Sequence, residues 1–125
     1  MKFRPLWLVL GWCLVAAVVY LSVSHTSVAP NVENGDKIGH FVAYGTLSLW
    51  FVQLFRRPPQ RFGACLALVA LGVALECVQA VLPYRSFDRM DMLANACGVV
   101  LGWIAAPPRL PNLLAMVERA VRAPA

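Results

Sequence analysis

A chain of 125 residues has the length of one domain, yet 60% hydrophobic side chains and a mean hydropathy of +0.66 give it far more apolar surface than a soluble fold of that size can bury. Only 14% of the residues are charged, and the formal net charge is +5. This balance excludes an ordinary soluble domain and points to an integral membrane protein, whose positive charge reports topology and contact with anionic lipid rather than with nucleic acid.

In chain order the sequence predicts an all-α bundle of four transmembrane helices, over about 6–23, 38–55, 62–82 and 88–106, and a cytoplasmic tail over 107–125. Each stretch approaches the roughly 20 apolar residues that a spanning helix needs. The first, Leu6 to Val23, follows Lys2 and Arg4 as a signal peptide would. Its apolar run exceeds an h-region of roughly 7 to 15 residues, and its small-residue exit, Ser27-Val28-Ala29, is followed by Pro30, so a retained helix is expected. Leu10-Gly11-Trp12-Cys13 is not a lipoprotein box, because Trp precedes the cysteine.

An outer loop holding His25, Pro30 and Asn31 leads to the second stretch, Ile38 to Phe55, which opens on Asp36, Lys37, His40 and Tyr44. Arg56 to Arg61, with Pro58-Pro59, reads as an inner turn. The third stretch, Phe62 to Leu82, carries Glu76 and Gln79 inside an otherwise unbroken apolar run, and Pro83 to Phe87 reads as an outer turn. The fourth reaches full length only if it starts near Asp88. Beyond Pro107-Pro108 the tail places Leu113, Leu114 and Val117 on one face and Glu118, Arg119 and Arg122 toward another, as a short helix on the inner surface would; a frayed terminus is the alternative.

Basic residues accumulate on the cytoplasmic side of membrane proteins. Lys2, Arg4, Arg56, Arg57, Arg61, Arg109, Arg119 and Arg122, eight of the eleven, fall on one side of the expected bundle, which places both termini in the cytoplasm. Cys13, Cys65, Cys77 and Cys97 all lie in the stretches, where cysteine behaves as a small apolar residue, and Cys77 and Cys97 are candidate neighbours.

With that orientation the polar ends of three helices meet at the outer leaflet. Asp36, His40 and Tyr44 recur at i, i+4 and i+8, with Lys37 beside them. Glu76 and Gln79 share a face, and Glu76 lies roughly 9 Å below the outer end at helical rise. Asp88, Asp91, Asn95, Gly98 and Gly102 follow a three-four spacing, so a Gly-x-x-x-Gly pair for close helix packing carries the polar groups inward. Each group has a structural alternative. Asp36 and Asp88 also read as N-caps, Gln79 and Asn95 as interhelical cross-links, Tyr44 as an anchor or core donor, and His40 as a core histidine bonded to Glu76 or Asp91. A carboxylate at membrane depth is costly, which makes Glu76 the hardest to assign to structure alone.

Asp36-Lys37-Ile38-Gly39-His40-Phe41-Val42-Ala43-Tyr44-Gly45, then Glu76-Cys77-Val78-Gln79 with Pro83-Tyr84-Arg85, then Asp88, Asp91, Asn95 and Gly98 together resemble the VanZ-like family. The resemblance runs from about residue 36 to 102 and implies a small multi-helix protein of the bacterial cytoplasmic membrane. The family is named after a protein associated with low-level teicoplanin resistance, but nothing in these residues specifies an antibiotic.

Three functions stay open on the sequence. In the first, an outer-leaflet site of Asp36, Lys37, His40, Tyr44, Glu76, Gln79, Arg85, Asp88, Asp91 and Asn95 binds a membrane lipid or a lipid-linked cell-wall precursor, with Lys37 and Arg85 on phosphate or carboxylate oxygens. In the second, Glu76, His40 and Asp91 are the catalytic groups of an intramembrane acid/base enzyme, or hold a divalent metal ion; no metal or other cofactor is specifically indicated, and no zinc-protease, serine-elbow or phosphate-loop motif occurs. In the third, the cluster is an interhelical network in a membrane scaffold.

Overall fold

The computed structural model describes residues 1–24 and 33–124; His25, Ser27-Val28-Ala29, Pro30 and Asn31 of the expected outer loop lie outside the described residues. Among the described residues the fold is all-helical, in the order α1 (Arg4–Val23), α2 (Gly35–Leu54), α3 (Pro58–Val81), α4 (Arg89–Ile104) and α5 (Leu113–Arg122).

Three boundaries differ from the sequence expectation. Pro58 and Pro59 occupy the first turn of α3 instead of a separate inner turn, because an N-terminal turn has N–H groups to spare and proline lacks only that group. Asp36 does not cap α2: the cap is Asn34, in the left-handed region at φ 56°, and Asp36 sits in the first turn, where the positive end of the helix dipole favours a carboxylate. Asp88 does cap α4, accepting from the Met90 amide at 2.8 Å, but α4 ends at Ile104.

α2 and α4 pack most intimately, and glycine is the reason. A Cβ on Gly98 would stand 2.5 Å from the Phe41 carbonyl oxygen, and one on Gly102 would stand 2.7 Å from the Ser48 side chain. With hydrogen in place of Cβ the two backbones touch, and buried Ser48 donates from Oγ to the Val99 carbonyl at 2.7 Å. Tyr44, Leu47, Val52, Cys65, Leu68 and Val99 form the main core. α1 approaches through Gly11, which lies against Trp50 and Phe51. Otherwise α1 buries little, and between α1, α2 and α3 lies an apolar cavity of 510 Å³ lined by Leu8, Trp12, Phe51, Ala64 and Leu68 among others.

Much of the outer surface is apolar. Val9, Trp12 and Tyr20 of α1, Phe62, Leu66 and Val81 of α3, and Leu93, Leu101 and Ile104 of α4 are all exposed. α1 and α3 are long and apolar enough to cross a membrane. α2 carries Asp36, Lys37, His40 and Gln53 in its 20 residues, and α4 has only 16. Cys65 is buried beside Ser48, whereas Cys13, Cys77 and Cys97 lie on the exposed surface; all four thiols are free.

The tail is a docked helix, not a frayed end. Asn112 caps α5 by accepting from the Ala115 amide at 3.0 Å and donates to the Gln53 carbonyl, while Gln53 Oε1 accepts from the Leu114 amide. Leu114 and Glu118, one turn apart, are buried against the bundle, and Leu113 and Val117 are exposed. Glu118 accepts from the backbone amides of Lys2 and Phe3, both at 2.9 Å, and from Trp7 Nε1 at 2.8 Å. Its carboxylate thus serves the amides at and before the N-terminus of α1. Burial pushes the Glu118 carboxyl up, but these three donors and the terminal ammonium outweigh it and hold the group below the usual glutamate range.

Candidate functional site

Helical spacing puts Lys37, His40, Tyr44 and Ser48 along the side of α2 that meets α4, Gly72, Glu76 and Gln79 on the inner side of α3, and Asp91, Asn95, Gly98 and Gly102 on the buried stripe of α4. Because the α2–α4 contact is glycine-mediated, the acidic end of α4 is drawn against His40 and Lys37.

At that end Glu76 is 1% exposed and Asp91 6% exposed. The Asp88 amide donates to Glu76 Oε1 at 2.9 Å, so the cap of α4 and the buried carboxylate of α3 are one unit. Lys37 Nζ bonds Asp88 Oδ2 at 2.9 Å and lies 3.5 Å from Asp36 and 3.6 Å from Asp91 Oδ1. His40 Nε2 is 3.6 Å from Asp91 Oδ2, beyond a hydrogen bond. Neither Asp91 Oδ1 nor Asn95 Oδ1 has a hydrogen-bond partner among the described residues, although both atoms are buried. One ligand atom each from His40, Glu76 and Asp91 falls within 4.8 Å of the others, and the same holds for Asp36, Asp88 and Asp91. Four carboxyl groups thus share one lysine and one histidine.

The remaining sequence candidates sit elsewhere in the assembly. Gln79 Nε2 donates to the Ser22 carbonyl at 2.9 Å, Arg85 donates to the carbonyls of Leu21 and Ser24 at 2.8 and 2.7 Å, and the Tyr84 hydroxyl donates to the Val23 carbonyl. These side chains therefore satisfy the last carbonyls of α1, which no intrahelical partner reaches. Tyr44 lies in the core at 2% exposure, one turn below His40.

Two residues that belong to the site were not singled out from sequence. Gly72, one turn below Glu76, makes room for Asn95: a Cβ there would stand 3.0 Å from Asn95 Nδ2. Ser48 continues the α2 stripe one turn below Tyr44 and reaches α4. Continuing the i, i+4 spacing of each stripe would have found both.

Chemically, the arrangement offers two buried carboxylates, Glu76 and Asp91, beside a half-buried imidazole, with one ammonium and the more exposed Asp36 and Asp88 at its rim. It can receive hydroxyl, amine or amide donors, exchange a proton between Glu76, His40 and Asp91, or hold a cation.

No solved structure matches the chain. An uncharacterized protein of Schizosaccharomyces pombe is 36% identical over 73 residues, which cover 56% of this chain and 45% of that relative. The chain therefore spans about half the length of the curated relative it matches. Residues 5–113, which include every side chain of the polar cluster and the helices that carry it, match the VanZ/LLP1 family, and the chain is a member of that family.

Proposed function

We propose that residues 1–106 form a membrane domain crossing four times through α1 to α4, with both termini and the 107–125 tail in the cytoplasm, and that the polar site at its outer end recognises the head group of a lipid or a lipid-linked envelope component. The observation that carries this reading is the convergence of buried Glu76 and Asp91 with half-buried His40 from three different helices at one end of an otherwise apolar bundle. The eight basic residues gathered at the opposite end support the orientation.

The geometry refines how such a ligand is met. Lys37 is committed to Asp88, and Arg85 to the end of α1, so the carboxylates and His40 provide the recognition surface. Native mass spectrometry of the protein extracted from its own membranes tests this: a defined lipid retained by wild type and lost from Glu76→Gln and His40→Ala, with helical content unchanged, is the expected result. Identical spectra for all three would reject it in favour of a structural network.

A second reading is an intramembrane enzyme acting on the same head group. It is favoured by Glu76, whose Oε1 is anchored by the Asp88 amide within reach of His40 and Asp91 as proton partners. Head-group turnover abolished in Glu76→Gln is its signature.

A further inference from the structure

We propose that His40, Glu76 and Asp91 bind one divalent cation of the zinc and manganese class. The three ligand atoms come from α2, α3 and α4 and lie within 4.8 Å of one another. His40 Nε2 and Asp91 Oδ2, at 3.6 Å, are too far apart for a hydrogen bond. They are at the separation of two ligands on one tetrahedral ion, since bonds of roughly 2.0–2.2 Å give edges of about 3.3–3.6 Å.

A second observation is independent of that spacing. Asp91 is 6% exposed, and its Oδ1 accepts no hydrogen bond among the described residues. A buried carboxylate without such a partner is costly, and a coordinated cation is one of the few ways to offset it. Lys37 Nζ is ion-paired with Asp91 Oδ1 at 3.6 Å, but the same ammonium bonds Asp88 at 2.9 Å and pairs with Asp36 at 3.5 Å, so three carboxylates draw on one positive charge. The neighbouring set of Asp36, Asp88 and Asp91 already faces that ammonium and is not the proposed site.

One imidazole with two carboxylates selects the class of ion. Magnesium and calcium favour all-oxygen shells, whereas imidazole suits zinc and its transition-metal neighbours. Three protein ligands leave a position for water or for a phosphate oxygen. This deepens the head-group reading, which it shares a site with, by supplying the positive charge that the committed Lys37 and Arg85 do not.

Detergent-purified protein stripped with EDTA and titrated calorimetrically with Zn²⁺ alone, without lipid, is the test. Wild type is expected to bind one equivalent, and His40→Ala, Asp91→Asn and Glu76→Gln are each expected to weaken binding by at least about 10- to 100-fold, the loss that removing a ligand's supporting partner already causes. Glu33→Gln, an exposed carboxylate before α2 that is not one of the three ligands, is expected to bind as wild type does. Absence of stoichiometric binding, or wild-type affinity in all three ligand variants, overturns the proposal. Should the variants not fold, the Co²⁺ spectrum of wild type decides: intense visible bands of a low-coordinate histidine–carboxylate site support it, and the weak spectrum of hydrated Co²⁺ overturns it. Lipid retained by native mass spectrometry without any Zn²⁺ binding would remove the cation and leave head-group recognition standing; Zn²⁺ bound with no lipid would do the reverse.

Discussion

Glu76 makes the demand that organises the polar end of the molecule: at 1% exposure, a carboxylate needs donors or a cation, and among the described residues its hydrogen-bond donor is the Asp88 amide. Glutamine keeps its shape and its acceptor oxygen while removing the charge. Glu76→Gln is therefore expected to leave thermal stability within about 1 kcal/mol of wild type, or to raise it, while the head-group ligand is lost. A loss of several kcal/mol in an unfolding titration would mark the carboxylate as a structural member instead. The buried stripes were legible residue by residue where chemistry and spacing coincide, as at Asp91, Asn95 and Gly98. Glu118 was not legible, because its partners are the Lys2 and Phe3 amides more than 110 residues away, and nothing local reveals that contact.

Among the elements, the α2–α4 pair sets the geometry of the site, and two glycines set the pair. Gly98→Ala would push a methyl group into the Phe41 carbonyl, costing about 1–3 kcal/mol by denaturant unfolding and displacing Asp91 from His40. Gly63→Ala is the control: nothing lies within 4 Å of its would-be Cβ, and the change is expected to stabilise α3 by up to about 1 kcal/mol. The largest shift from the stretches read by hydropathy and spacing, at the start of α3, came from prolines that can begin a helix as well as end one. The docking of α5 has its own pH signature. Because the folded-state Glu118 carboxyl is held below its ordinary range, the stabilisation it gives is fully present above about pH 4.3, the ordinary glutamate value, and is lost as pH falls through the lowered one. Hydrogen exchange of the α5 amides is expected to accelerate there in wild type, and already at neutral pH in Glu118→Ala; equal protection in both proteins would show that Glu118 does not hold the tail.

Taken as a whole, the molecule has two unlike ends joined by an apolar wall. At one end the carboxylates of α3 and α4 meet His40 and Lys37. At the other, Arg61 donates to the carbonyls of Val52, Phe55 and Pro107, tying together the ends of α2, α3 and α4 there, and Arg56 and Arg57 lie exposed beside it. The exposed faces of α1, α3 and α4 are rich in Leu, Val, Ile and aromatic side chains, and this wall is what a bilayer would cover. Basic asymmetry made that polarity legible from the sequence. The commitments of Lys37 and Arg85 were not, because they depend on which helix ends the fold brings beside them.

The functional account depends on the polar end opening away from the cytoplasm, and side-specific labelling of single cysteines measures that directly. In a background with the four native cysteines replaced, Ser86→Cys, exposed in the turn before α4, and Arg57→Cys, exposed at the start of α3, are treated in intact cells with a membrane-impermeant maleimide. Ser86→Cys is expected to be labelled in intact cells, and Arg57→Cys only after the membrane is opened. Labelling of Arg57→Cys alone in intact cells would invert the bundle and place the site in the cytoplasm, contradicting the outer-leaflet function proposed for it.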